Sequence, residues 1–495
     1  MHALAVLFYG FESLKTELLF SVYDRVRHFV GLKKIVLLTH HELQLPVSIE
    51  QVVIPQCTVP ALLKTLAQLS VGFDFIYFAW ADCPFLDPLL AEALAKRHQQ
   101  YRADYSYADG YPYGLAPELI APRTVSLLVP LAQEKPIERD ALFSVLQKDI
   151  NAFDIEVILS PVDLRGYRLS FTSDSKRKQI LIDRFNAAGA TDAVHIQKVI
   201  EKHPEWLRTV PAFYPIQVSG LCPQACSWCP YPQSEQLPKD AFMDVQTFSN
   251  LLDRIIDFSA DAVIDLSLWG ELSLHPQKIL LIQAVLARPA LSLIIESSGI
   301  GWTDKELEQL AADSSSALPR INRQPPLSWI ISLDTHNAAR YREIRGEGFE
   351  EATTCAERIA KLFPQDTYVQ AVRTRGAEDD IEHFYRSWKE KGVQTIIQKY
   401  DSFCGQLVER SAADLSPIVR RPCWHLGRDM PILLDGTVPI CKEELLLHRL
   451  LGNAFREELC TVWSRAEALY NFHCTAAWGE TGQCAVCDEY YTYNF

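Results

Sequence analysis

The 495-residue sequence predicts an α/β protein centred on an open, partial (β/α)6 barrel. Between Phe213 and about Tyr400, six β-type runs alternate with helical segments. The connections are short, which implies parallel strands and right-handed crossovers rather than a sandwich. The length exceeds what one hydrophobic core organises, so further domains are expected on both sides of the barrel.

From Met1 to Leu169, runs such as ALAVLFY, KIVLLTH and FDFIYFAW alternate with helical stretches including LLAEALAKRHQQY, an α/β signature. Residues 170–212 read as a charged helical connector, carried by SDSKRKQILIDRF and TDAVHIQKVIEKHPEWL. The barrel, 213–405, has the expected strands YPIQVS, AVIDLSL, LSLIIES, SWIISLD, TYVQAVR and TIIQKY. Helices such as VQTFSNLLDRIIDF, EEATTCAERIAKLF and EDDIEHFYRSWKEK lie between them. In such a barrel, catalytic residues belong on loops after the strand C-termini. Residues 421–495 are rich in Cys, aromatics and turn formers, with apolar content too scattered for a large core of their own. A metal cluster is expected to supply the missing cross-links there.

A composition of 48% hydrophobic and 22% charged residues is that of a globular chain. The formal charge of −14 argues against a broad grip on nucleic acid. MHALAVLFYGFESL has no basic leader and no cleavage site, and apolar stretches such as KILLIQAVLARPALSLII are broken by Arg288 and Pro289. The expectation is a cytoplasmic protein with no membrane partner.

In a reducing cytosol, thirteen cysteines point to metal binding, catalysis or burial rather than disulfides. Cys222, Cys226 and Cys229 form a CxxxCxxC group in SGLCPQACSWCPYP, directly after the first barrel strand. Three thiolates on one short loop can each take one iron of a cubane and leave the fourth iron open. Buried thiols or zinc are the alternatives, but a zinc site needs four ligands and no His lies near.

CPQACSWC, with Trp228 before the third Cys, resembles the signature of the radical S-adenosylmethionine (SAM) superfamily. The resemblance implies a TIM-type partial barrel and a catalytic 4Fe-4S cluster whose open iron is chelated by SAM. It also implies reductive cleavage to a 5′-deoxyadenosyl radical that takes hydrogen from a substrate. Gly270 and Glu271, in LSLWGELSLHP, resemble the family's Gly-Gly-Glu motif, which meets the SAM amino group, with Trp269 in place of the first glycine. Ser298 in IIESSGI, and Ser332 and Asp334 in WIISLDTHNAARYREIRG, match positions that approach the ribose or methionyl part; turn or capping duty is the alternative. Arg373, ending TYVQAVR, could pair with the SAM carboxylate or form a structural ion pair.

Cys423, Gly436, Cys441 and the CAVC pair Cys484 and Cys487 resemble the SPASM or twitch extension, whose hairpin carries Cys-x(9 to 15)-Gly-x4-Cys. This implies a second, auxiliary 4Fe-4S cluster held by those four cysteines, with Cys460 and Cys474 as possible substitutes. The sequence runs only eight residues past Cys487, so one auxiliary cluster is expected rather than two. A four-Cys zinc ribbon is the alternative, although it would normally use two CxxC pairs.

AWADCPFLDPLLAEAL and GYPYGLAPELIAPRTV resemble nucleotidyltransferases of the glycosyltransferase A-like fold, in which Asp82 would bind the metal. The glycine-rich phosphate loop is represented only by FYGFES, so this domain, 1–169, is expected to be degenerate. The whole arrangement resembles the spiro-SPASM proteins. It implies a radical SAM enzyme that modifies a peptide, protein or small metabolite, served by an electron donor such as a ferredoxin or flavodoxin. The competing readings are a nucleotidyl or glycosyl transferase and a non-catalytic iron-sulfur scaffold.

Overall fold

The computed structural model describes residues 1–10, 16–45 and 49–492. It divides into two compact units, Met1–Leu207 and Arg208–Phe495.

The first unit is built on a seven-stranded mixed sheet. Its strands are β1 (Ala3–Phe8), β2 (Leu32–Thr39), β3 (Glu50–Val53), β4 (Phe75–Trp80), β5 (Tyr105–Asp109), β6 (Glu118–Ile120) and β7 (Ile155–Leu159). They run in the order β3-β2-β1-β4-β6-β5-β7, with β6 antiparallel to both neighbours. β1 and β4 lie at the centre, and their unbroken apolar runs ALAVLF and FIYFAW are buried on both faces. The helices expected as a connector, Lys176–Ala187 and Ala193–Lys202, belong to this unit. Ser175 and Asp192 cap them, and Leu181, Phe185, Ile196 and Ile200 pack with Phe85, Leu115 and Phe171.

The second unit contains six parallel strands: β8 (Phe213–Pro215), β9 (Ala262–Asp265), β10 (Leu291–Ser297), β11 (Leu327–Ser332), β12 (Thr367–Arg373) and β13 (Gln394–Lys399). Spatial order follows chain order, leaving β8 and β13 at the edges. β8 is shorter than YPIQVS suggests: regular pairing ends at Pro215, beyond which Ile216 forms an isolated bridge to Ile432. Its free edge takes a segment from the C-terminal region: Met430 N donates to Phe213 O and Ile432 N to Pro215 O.

Period-two alternation sorts the barrel strands into layers. The face under the helices carries Ile264, Leu293, Ile295, Trp329 and Ile331, all buried in one core with Phe248, Leu252 and Ile255 of the helix Val245–Ser259. On the inner face, Phe213, Val263, Ile294, Ile330, Tyr368 and Ile396 form an apolar floor. Two residues further along each strand stand Pro215, Asp265, Glu296, Ser332, Gln370 and Gln398, and all six line one cavity of about 290 Å3. Polar chemistry thus collects at the strand C-termini.

The C-terminal region adds a hairpin of β14 (Thr437–Pro439) and β15 (Leu450–Asn453) and the helices Leu459–Ser464 and Glu467–Cys474. It builds no core of its own. Met430, Ile432, Val438, Val462 and Tyr470 enter the barrel's apolar core instead. Among the described residues, no helix is long and apolar enough to cross a membrane.

Candidate functional site

The loop after β8 has almost no regular structure and is held by specific bonds instead. Glu271 N donates to Leu221 O at 2.7 Å, Ser227 N to Ile344 O at 2.8 Å and Cys229 N to Cys226 O at 3.1 Å. The Tyr231 hydroxyl donates to Gly220 O at 2.9 Å. These bonds bring Cys222, Cys226, Trp228 and Cys229 to the cavity, where Gly270, Glu271, Ser298, Ser332 and Asp334 also lie.

Gly270 sits at φ 74°, and a Cβ there would stand 2.0 Å from Ser219 O. Gly270→Ala is therefore expected to cost at least about 2 kcal/mol from the clash and the left-handed backbone, read by denaturant unfolding of the full chain. Trp269 precedes it at φ 51°, a conformation suited to the glycine that stands here in the resembling motif. Its ring stacks on Tyr231 with centroids 6.1 Å apart, a contact that helps hold the strained backbone. Glu271 is 5% exposed. It accepts from Ser298 N at 2.8 Å and from the Ser297 hydroxyl at 2.9 Å, leaving lone pairs for a further donor.

Ser298 reaches the cavity beside Glu271, and Ser332 donates to Glu296 at 2.8 Å. Asp334 is already committed: it accepts from Arg345 at 2.5 Å and from Val372 N at 2.9 Å. Arg373 is exposed and is not among the cavity residues, because Gln370 and Val372 take the inward positions of β12 and alternation turns Arg373 away. The cavity is also lined by the cations Lys399, Lys442 and Arg345, and no motif in the sequence singled out Arg345. Its Nε also donates to Gln224 at 3.1 Å, and Gln224 donates to the Tyr341 hydroxyl at 2.8 Å. Arg345 thus ties the cysteine loop, by its hydrogen bond to Gln224, to the loop after β11, by its ion pair with Asp334.

Burial pushes the Cys222 thiol up to about 11 and Cys229 to about 12, and it raises Cys226 as well, against the pull of Arg345. The metal-free loop therefore holds neutral thiols at neutral pH, and metal loading has to displace protons. In the metal-free protein at pH 8, iodoacetamide is expected to alkylate Cys229 at least ~100-fold more slowly than exposed Cys460, the rate rising about tenfold per pH unit up to pH 10. Peptide mapping by mass spectrometry reads both sites.

In the C-terminal region, Cys423, Cys441, Cys484 and Cys487 lie close enough to act on one another. After burial, the largest influence on Cys423 is Cys487, and Cys441 feels Glu443 and then Cys484, Cys487 and Cys423. Burial pushes Cys484 up to about 11. Cys404, on the loop after β13, donates to Cys487, which lowers Cys487 and raises Cys404. Sequence spacing gave no sign of this fifth thiol. Cys460 is exposed on Leu459–Ser464, and Cys474 packs against the core. Among the described residues, the trio of metal-type ligands with donor atoms all within 4.8 Å is Asp401, Asp488 and Glu489, and neither cysteine group closes that tightly. Sets of three and of four thiols are donor sets of the kind that metal sites and iron-sulfur clusters use.

In the first unit, Asp82 is 1% exposed and gripped at both oxygens by Arg139, at 2.7 and 2.6 Å. Arg139 also holds Asp174 at 2.9 Å and lies 4.4 Å from the Trp80 ring centroid. The charge that a divalent metal would neutralise is already neutralised by a guanidinium, which counts against nucleotidyl transfer. Residues 11–13 of FYGFES lie outside the described residues.

No protein-family model matches the sequence. Among solved structures, SuiB of Streptococcus suis bound to S-adenosylmethionine is similar at 14% identity, covering 63% of this chain and 82% of that one with a TM-score of 0.44. A cytidylyltransferase from Leptospira borgpetersenii serovar Hardjo-bovis is similar at 15% identity, covering 42% of this chain and 95% of that one with a TM-score of 0.34. An uncharacterized protein of Treponema pallidum (strain Nichols) is 37% identical over 365 residues, 72% of this chain and 98% of the relative. That identity over nearly the whole relative shows that this chain and the Treponema pallidum protein belong to one family.

Proposed function

We propose that the second unit is a radical SAM enzyme. The observation that carries the reading is the placing of three loop cysteines, Cys222, Cys226 and Cys229, at the C-terminal end of a parallel sheet, in one cavity with Gly270, Glu271 and Ser298. When bound there and reduced, a 4Fe-4S cluster supplies the electron that cleaves SAM to a 5′-deoxyadenosyl radical. The chain's own residues do the rest. The thiolates of Cys222, Cys226 and Cys229 would hold the cluster through three of its irons. The spare lone pairs of Glu271 orient the SAM amino group, while Ser298 and Ser332 offer hydrogen bonds within the same cavity. Trp228, Trp269 and Tyr231 line the cavity near the cysteines.

Cys423, Cys441, Cys484 and Cys487 hold an auxiliary 4Fe-4S cluster in this reading, and a ferredoxin or flavodoxin supplies electrons. The substrate is a peptide, protein or small metabolite. The test is anaerobic reconstitution of the full chain with iron and sulfide, followed by dithionite and SAM. The reading expects a broad cluster absorbance near 400 nm and 5′-deoxyadenosine by liquid chromatography. A single zinc ion at the loop after β8, or a loaded cluster that leaves SAM intact, would overturn it.

A further inference from the structure

We propose that the segment 488–492 is a strap that walls the barrel on its open side, and that metal bound by the auxiliary cysteines latches it there. The latch rests on the proposed auxiliary cluster; the wall does not need it. β8 and β13 are the free edges of the six-stranded sheet, so the barrel is open between them. A second cavity, of about 340 Å3, shares Asp265, Glu296, Gln370 and Gln398 with the one that holds the cysteine loop and reaches down to the apolar floor. Phe213 of β8 and Ile396 and Lys399 of β13 line it from the two edges, while Glu489, Tyr491 and Thr492 line it from the strap. The strap thus shapes the space into which the strand C-termini turn their polar groups.

The strap is seated from both sides. Lys399, the last residue of β13, donates to Asp488 at 2.7 Å and also to Glu489. Trp424 N donates to Tyr490 O at 2.8 Å, and His425 Nε2 bonds the Thr492 hydroxyl at 3.0 Å. The Arg420 guanidinium lies 4.5 Å from the Tyr490 ring centroid and donates to Ala485 O at 3.0 Å. Both partners of the backbone bond stand close to cysteines of the auxiliary group: Trp424 and His425 follow Cys423, and the strap follows Cys487. Those two cysteines lie far apart in the sequence, so in the metal-free chain every bond between their segments works against the entropy of the long loop between them. A metal centre that holds both sulfurs closes that loop once, after which the Trp424 and His425 contacts form between near neighbours. Glu489 N also donates to the Cys487 sulfur at 3.4 Å, a bond that a metal-bound thiolate strengthens.

The test is hydrogen exchange read by mass spectrometry on the full chain under anaerobic conditions, metal-free and after reconstitution with iron and sulfide. Reconstitution is expected to slow exchange in the peptides carrying Trp424 and residues 489–492 by at least ~10-fold, and to leave the helix Lys176–Ala187 of the first unit unchanged. Cys423→Ala, reconstituted in the same way, is expected to lose that slowing. The comparison of metal-free and loaded parent needs no substitution, so it decides the latch even where Cys423→Ala fails to fold. In the loaded protein, Thr492→Val removes the His425 bond and is expected to speed exchange at Trp424 at least ~3-fold. Equal exchange in the metal-free and loaded parent, or slowing that survives in a folded Cys423→Ala, overturns the latch. Exchange at Trp424 that ignores Thr492→Val overturns the strap. The same slowing with zinc alone supports the strap and defeats the auxiliary 4Fe-4S assignment. Formation of 5′-deoxyadenosine by loaded protein whose strap exchanges as fast as in the metal-free chain defeats the latch alone, whereas slowing without SAM cleavage defeats the radical SAM reading alone.

Discussion

Replacing Cys226 by Ala is expected to abolish 5′-deoxyadenosine formation, even with iron and sulfide in excess, while leaving the secondary structure intact. A cubane held by two thiolates of one short loop loses both affinity and the geometry that leaves a single iron open. The fold should survive because the loop is held by other groups. Ser227 N bonds Ile344 O, Cys229 N bonds Cys226 O through the backbone, and Tyr231 clamps Gly220. The Cys226 sulfur makes a weak contact with Gln224, at 3.8 Å. Iron analysis sharpens the result: if the chain holds the two proposed 4Fe-4S clusters, Cys226→Ala and Cys423→Ala should each fall from about eight irons to about four. Only the first should lose the electron paramagnetic resonance change caused by SAM. If Cys226→Ala still forms product, the cysteine loop has another role.

How much of this was legible in the sequence depends on whether the signal was local. The cysteine spacing and the Gly270–Glu271 pair are short motifs beside strongly apolar runs, and each lies where its strand ends. The inner polar layer was legible in principle but overlooked. Once Glu296 is seen as the single charge in LSLIIES, stepping two residues from each apolar floor position gives Asp265, Ser332, Gln370 and Gln398. The same step assigns Val372 inward and Arg373 outward. What no local pattern carries is pairing across the chain. Arg139 meets Asp82 from 57 residues away, and Arg345 meets Gln224 from 121 away, so a polar residue in a motif says nothing of the cation that has claimed it. Cys404 lies outside any recognisable spacing and meets Cys487 only because the loop after β13 turns toward the C-terminal region.

Arg345→Leu is expected to destabilise the second unit by about 3–5 kcal/mol, the usual effect of removing one partner of a buried ion pair. Asp334 has a side chain 1% exposed, and without the guanidinium its charge would keep only the Val372 N–H. Asp334 also holds φ 67°, which a non-glycine residue adopts only when its surroundings enforce it. The loss should therefore reach beyond the pair, freeing the loop after β11 and the Gln224 link to the cysteine loop. For a unit of this size, each kcal/mol shifts the melting temperature by about 2–4 °C, so a fall of roughly 6–20 °C is expected. Arg345 also draws the Cys226 thiol down, and its loss should leave that sulfur harder to deprotonate and the loop slower to take up iron. The double variant Arg345→Leu with Asp334→Leu separates the causes: removing both charges should restore most of the stability but not the iron uptake, because Gln224 keeps its bond to Tyr341 but not the one from Arg345. A single Arg345→Leu variant that melts within 2 °C of the parent would mean that Asp334 is solvated and that the two loops are held together by something else.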